Sequence, residues 1–141
     1  MDDLVLALHA ARAGAAVVRG HFGRVLDAEY KRRFDPVTLA DRESEDAIVG
    51  LLEESRPEYG ILAEEGAGAA ADGRRWIIDP LDGTVNFVHG IPQLGVSVAL
   101  YDDDTAVLGV TTRPVKDSHG MEISEDRLLS KRPVSEALPS R

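Results

Sequence analysis

The residues best suited to chemistry lie in one short run, Trp76 to Thr84, with two carboxylates (Asp79, Asp82) and a hydroxyl (Thr84). Residues 76–78 are apolar strand formers, so we expect a buried strand that delivers Asp79 to its C-terminal edge. Two neighbouring carboxylates repel each other unless a cation lies between them. Hard divalent cations such as Mg²⁺ prefer such oxygen ligands, so the run indicates a metal site.

The residues that follow Asp79 predict a second binding feature. Pro80 cannot donate a backbone hydrogen bond and is expected to end the strand. Gly83 permits a tight turn, after which residues 84–87 can begin a short helix. The unpaired N–H groups at a helix start favour an anion. A metal and a phosphate together would therefore suit this loop.

Length and composition describe one globular domain. The 141 residues are 43% hydrophobic and can bury roughly 70% of the unfolded surface. The net charge of -9 opposes non-specific binding to nucleic acid or anionic membrane, and the absence of cysteine excludes disulfides and thiolate chemistry. Residues 4–18 are apolar-rich, but His9 and Arg12 interrupt them. We expect neither a membrane span nor a signal peptide there, and hence a cytoplasmic protein.

Apolar spacing predicts two long helices before the Asp79 run. The first covers about residues 2–20. Residues 25–34 predict a hairpin or an irregular strand pair, although their alternation is poor. Thr38 and Asp41 then resemble a helix-opening pattern, which puts Asp41 in the first turn of a helix that Pro57 stops.

Further strands are predicted on both sides of the run. Residues 59–63 form a short strand closed by Glu64 and Glu65, and a loop of Gly and Ala follows over 66–73. Residues 93–100 and 105–112 predict an antiparallel pair about an acidic turn. We expect residues 1–112 to form the domain and residues 113–141 a divergent, peripheral tail.

Three segments resemble the inositol monophosphatase family of Mg²⁺-dependent, lithium-sensitive phosphatases, in the family's order. They are Val37-Thr38-x-x-Asp41, Leu62-Ala63-Glu64-Glu65, and Asp79-Pro80-Leu81-Asp82-Gly83-Thr84-x-Asn86-Phe87. One such match would be weak, whereas three in order are specific. The resemblance implies an enzyme that hydrolyses a small phosphate monoester, such as an inositol phosphate, a sugar phosphate or a nucleotide 3′-phosphate.

The resemblance also implies roles for the acidic residues. Glu64, Asp79 and the Leu81 carbonyl would hold one Mg²⁺, and Asp79 and Asp82 would contribute to a second. A third metal would share Glu64, and Glu65 would lie just outside the ligands. Each role rests on the family's motif rather than on the spacing of these residues.

Three further roles follow from the same resemblance. Asp41 and Thr84 would orient and deprotonate the attacking water, and the backbone N–H groups of Gly83 and Thr84 would hold the phosphate. Lys31 lies near a position where the family often has a basic residue that positions metal-bound water. The substrate partner would be a small phosphorylated metabolite.

The implied fold is α+β: the first half of the family's αβαβα layered sandwich, with an antiparallel sheet and two long helices. Family members are about twice this length and complete the second metal site with a Trp-Asp motif, whereas Trp76 is the only tryptophan here. The uncovered apolar surface of such a half predicts a homo-oligomer, most simply a dimer.

Other interpretations of the same residues stay open. Asp79 and Asp82 could cap a turn, with Thr84 starting a helix, and hold no metal. The chain could be a truncated, non-catalytic family member that acts as a metal-binding or interaction module. It could also be a fragment or a frameshifted product.

Overall fold

The computed structural model describes residues 1–63 and 73–114, together with the backbone of residues 125–129. The described helices are α1 (Asp3–Phe22), α2 (Ala28–Arg33), α3 (Pro36–Ser55) and α4 (Thr84–Val88). The described strands are β1 (Gly60–Ala63), β2 (Arg74–Asp82), β3 (Gly95–Asp102), β4 (Thr105–Thr112) and β5 (Glu125–Leu129). The predicted loop at 66–73 lies outside the described residues, apart from Gly73.

The five strands form one sheet in chain order, β1 to β5. Strands β2 to β5 pair antiparallel, and β1 pairs parallel with β2. This confirms the expected α+β fold with two long helices. Strand β5 extends the sheet beyond residue 112, where we expected a peripheral tail, and its backbone lies at the edge beside β4. The division of the chain at residue 112 stays a prediction.

The core lies between one face of the sheet and the two long helices. Alternate residues of the central strands point toward α1 and α3 and are buried, among them Trp76, Ile78, Val98 and Leu100. Helix α1 packs across β3 and β4, while α3 packs against β2. The alternation of buried and half-buried residues along β2 and β3 matches a sheet with one fully covered face.

The N-cap of helix α3 lies three residues before Thr38, so the predicted start was wrong. Asp35 is the N-cap, its carboxylate accepting from the Val37 and Thr38 amides at 3.1 and 3.2 Å, and Pro36 occupies the first turn. Asp41 therefore lies in the second turn. Hydrogen bonds from the Thr38 amide and hydroxyl hold the pKa of Asp35 below its usual range, so the cap is charged at neutral pH.

Residues 28–33 form a helix, so the predicted hairpin was also wrong. Asp27 caps α2 by accepting from the Tyr30 amide at 3.1 Å. The Tyr30 ring is buried, its hydroxyl contacts Nδ1 of His21 on α1, and the Arg24 guanidinium lies 4.2 Å above the ring. Burial raises the pKa of Tyr30. The local cap and these contacts with α1 outweigh the weak strand pattern.

Gly14 lies where α1 and α3 approach most closely. A Cβ there would sit 2.7 Å from both the Ile48 Cδ1 and the Ser44 Oγ, whereas a Cβ at Gly50 would meet nothing within 4 Å. We expect Gly14→Ala to destabilise the chain by about 1–2 kcal/mol, because overpacking outweighs the gain in helix propensity.

Gly50→Ala is the matched control and should stabilise the chain by about 0.5–1 kcal/mol. Urea denaturation followed by Trp76 fluorescence measures both. Equal stabilities for the two variants would contradict the close approach at Gly14.

Candidate active site

The two aspartates lie at a bulge within β2. The prediction that the strand ends at Pro80 was wrong. Asp79 pairs with Ser97 and Asp82 pairs with Gly95, so three steps along β2 match two along β3. The extra residue lets Pro80 lie where the strand needs no amide donor. The bulge leaves Asp79 half-buried and Asp82 exposed at the end of the strand.

Gly83 makes the turn from β2 into α4, as predicted. Its φ of 95° is left-handed, and an added Cβ would lie 2.9 Å from the Gln93 carbonyl oxygen. The Asn86 side-chain amide donates to the same carbonyl at 2.9 Å. Thr84 then opens the short helix α4, so Asp79, Leu81, Asp82, Gly83 and Thr84 form one continuous strand–turn–helix segment.

A hydrogen bond links helix α3 directly to the bulge. The Ser44 hydroxyl, fully buried, donates to the Pro80 carbonyl at 2.8 Å. Asp41 lies one turn before Ser44, on the part of α3 that this bond holds against β2. One oxygen of Asp41 and one of Asp79 are both inaccessible to solvent. Sequence reasoning missed Ser44, because a serine inside a helix carries no signal of a contact 36 residues away.

Ser44→Ala should lower the stability of the chain by about 1–3 kcal/mol, because it leaves the buried Pro80 carbonyl without its donor. Ser55, exposed at the end of the same helix, provides the control, since Ser55→Ala breaks no side-chain contact of this kind. Urea midpoints compare the two variants. Equal urea midpoints for the two variants would show that the Ser44 hydrogen bond does not hold α3 to the bulge.

One cavity is lined by residues of the segment, and two others lie along the start of α3. Asp82 and Gly83 line a cavity of about 500 Å³, and Asp41 lines one of about 300 Å³ with Thr38, Arg42 and Glu45. Lys31 lines a largely apolar cavity of about 430 Å³ with Phe34, Val37 and Val88. Lys31 thus shares a cavity with neither Asp41 nor Asp82.

The donors in this segment suit a hard cation, because the Asp79 and Asp82 carboxylates and the Leu81 carbonyl all offer oxygen. Glu64 and Glu65, the other acidic residues of the expected site, lie outside the described residues. Within residues 1–63 and 73–114, no three acidic or histidine side chains are grouped closely enough to hold a metal. The described segment by itself therefore offers oxygen donors without a complete set of metal ligands.

A profile of the Inositol monophosphatase family matches residues 2–132. The chain is 45% identical over 117 residues to an inositol-1-monophosphatase of Mesorhizobium japonicum, and 41% identical over 115 residues to a fructose-1,6-bisphosphatase/inositol-1-monophosphatase of Thermotoga maritima. Histidinol-phosphatase of Mycobacterium tuberculosis is also 41% identical, over 115 residues. These alignments cover about 80% of this chain and 44% of each relative.

Solved structures agree with these alignments. The extragenic suppressor protein suhB of Bartonella henselae superimposes with a TM-score of 0.70 and 33% identity, covering 87% of this chain and 47% of that one. Inositol monophosphatase of Anabaena gives a TM-score of 0.67 at 30% identity, covering 93% and 48%. The layered α+β fold and its Asp79–Thr84 segment are thus those of a phosphatase family.

The chain belongs to the inositol monophosphatase family. It spans about half the length of the relatives that it matches. In the described residues, no helix is both long and apolar enough to cross a bilayer.

Proposed function

We propose that this chain carries out Mg²⁺-dependent hydrolysis of small phosphate monoesters. The observation that carries the proposal is the Asp79–Thr84 segment, in which a bulge, a left-handed glycine and a helix start follow one another and carry two carboxylates, a hydroxyl and backbone amides. The relatives named as phosphatases of inositol phosphate, fructose bisphosphate and histidinol phosphate support a small phosphorylated substrate.

In this proposal the acidic residues hold the metal. Glu64, Asp79 and the Leu81 carbonyl would hold one Mg²⁺, and Asp79 and Asp82 would contribute to a second, with Glu65 beside them. Mg²⁺, when bound, would neutralise phosphoryl oxygens and lower the pKa of bound water. Asp82 is exposed at the mouth of its cavity and can reach an incoming cation without unfolding the strand.

The remaining residues of the segment would handle water and phosphate. Thr84 would orient the attacking water through its exposed hydroxyl, and Asp41 would accept its proton. The Gly83 and Thr84 amides would hold the phosphate, at a turn whose backbone only glycine adopts without strain. Lys31 was expected to position water, but the present proposal does not use it, because it lines a separate cavity.

Phosphate release by the purified chain tests this function. The rate would be followed against Mg²⁺ with inositol 1-phosphate, fructose 1,6-bisphosphate, histidinol phosphate and adenosine 3′,5′-bisphosphate. Release that depends on Mg²⁺ and stops with chelator supports the proposal. Absence of release from every substrate contradicts it for this chain.

A second candidate is a non-catalytic module that binds metal or a partner. It is favoured by one observation: within the described residues, the acidic side chains form no group of three that could hold a metal. Calorimetry distinguishes the two candidates. Mg²⁺ binding without phosphate release supports the module, whereas turnover excludes it.

We also propose a cytoplasmic homodimer. Large apolar side chains flank α2, with Leu26 exposed at 75% and Phe34 at 47%, and self-association would cover such side chains. Sedimentation at several concentrations measures this. A monomer at every concentration would contradict the dimer.

A further inference from the structure

A line of polar side chains crosses the sheet from Asp79 toward the end of β4. Asp79 pairs with Ser97, and Ser97 pairs with Thr111, so the three residues lie side by side on neighbouring strands. The Ser97 and Thr111 hydroxyls are hydrogen-bonded at 3.1 Å. Because side chains alternate along a strand, this line lies on the face opposite the core.

Arg113 continues this line immediately after β4. Thr111 and Arg113 are exposed, whereas Thr112 and Pro114 are buried, so the alternation places Arg113 on the side of Thr111. The backbone there is held from the core side, because the Arg19 Nε donates to the Pro114 carbonyl at 2.9 Å. Arg113 therefore projects from an anchored segment.

Arg113 shares a cavity with the candidate active-site loop. The residues that line this cavity of about 500 Å³ include Asp82, Gly83, Asn86, Thr111 and Arg113. Its volume is that of a small-molecule site. Arg113 is the one cation among its lining residues, and no described residue forms an ion pair with it.

The negative charge around this cavity affects which ligands can bind there. The chain carries a net charge of -9, and Asp82 adds a negative charge inside the cavity itself. A second anionic group on the ligand, beyond the phosphate that a bound metal would neutralise, would be repelled here unless a fixed cation compensated. A guanidinium can do so with directional bonds, because its N–H fork matches two oxygens of a carboxylate or phosphate.

We propose that Arg113 is a specificity-determining residue that binds a second anionic group of the substrate, a carboxylate or an additional phosphate, while the reacting phosphate lies at Asp82 and Gly83. The inference rests on the proposed function and names its substrate class: phosphate monoesters with another anion within reach of the same cavity. A phosphate ester of a neutral polyol would leave Arg113 without a partner.

Equilibrium binding tests this without requiring turnover. Calorimetry with Mg²⁺ present would compare inorganic phosphate, phosphonoacetate (a non-hydrolysable phosphonate plus carboxylate) and methylenebisphosphonate (two phosphorus groups). The unsubstituted chain should bind at least one of the two larger probes about tenfold more tightly than phosphate. Whichever probe gains affinity identifies the second group as carboxylate or phosphate.

Arg113→Ala should remove this gain and leave the affinity for inorganic phosphate unchanged. Arg113→Lys should restore part of it, because a lysine keeps the charge but loses the fork. Arg32→Ala is the control: it removes one exposed positive charge on α2, outside this cavity, and should change none of the affinities.

Two results would overturn the inference. The first is an unsubstituted chain that prefers neither larger probe over phosphate, or that binds none of the three probes. The second is an equal loss of affinity for the preferred probe in Arg113→Ala and Arg32→Ala. Failure of the proposed function is distinguishable, since it is the absence of Mg²⁺-dependent phosphate release. A chain that releases phosphate but lacks the Arg113-dependent preference keeps the function and loses the inference.

Discussion

Asp79→Asn should abolish Mg²⁺-dependent phosphate release. The side chain keeps its size, so the half-buried position in the bulge is still filled, but the carboxylate proposed to contact both metals loses its charge. Changing a residue that only supports a metal ligand costs about 10–100-fold in metal affinity or activity, so a change in a ligand itself should exceed about 100-fold. The measurement is the initial rate of phosphate release against Mg²⁺ concentration.

Asp104→Asn is the matched control for Asp79→Asn. Asp104 is an exposed aspartate in the turn between β3 and β4, and its substitution removes the same charge away from the candidate site. Magnesium calorimetry on both variants separates loss of metal from loss of a catalytic step. Full activity and unchanged Mg²⁺ affinity in Asp79→Asn would refute the assigned role of Asp79.

Phe87→Ala has the largest expected effect on stability. Phe87 is fully buried, is the only buried residue of the five-residue α4, and packs edge-to-face on Phe22 of α1 at 6.0 Å between ring centroids. Deleting such a ring costs about 3–5 kcal/mol. Because a helix this short depends on packing for its stability, the turn at Gly83 should loosen as well.

The Phe87→Ala effect is read from urea denaturation, with Trp76 as the sole tryptophan probe. Val85→Ala is the control on the same helix, since Val85 is 69% exposed and its truncation should change stability by less than about 0.5 kcal/mol. Phe87→Leu should fall between the two. A loss in Phe87→Ala no greater than in Val85→Ala would show that α4 is not anchored by this ring.

Features that depend on neighbouring residues were predictable from the sequence. The strand at residues 76–78, the turn at Gly83 and the short helix after it follow from apolar strand formers and a residue that tolerates positive φ. The paired strands β3 and β4 follow from alternation about an acidic turn. The family itself was recognisable from three motifs, and the profile match over residues 2–132 confirms it.

Two of the errors lie where distant contacts decide the local structure. Tyr30 lies in a helix because its ring is buried beside His21 of α1, a contact that the strand pattern of residues 25–34 does not reveal. Pro80 does not end β2, because the register with β3 accommodates one extra residue at that point. The start of α3 was misplaced for a local reason, since Asp35 and Pro36 together make a stronger start than Thr38.

The sequence by itself determined which groups the Asp79–Thr84 segment carries, because two carboxylates, a hydroxyl and the turn glycine lie within six consecutive positions. Tertiary structure decided what surrounds that segment. Ser44 reaches Pro80 across 36 residues, and Arg113 enters the Asp82 cavity only because β4 pairs with β3. Such long-range contacts depend on sheet register and helix packing, which no short stretch of sequence specifies.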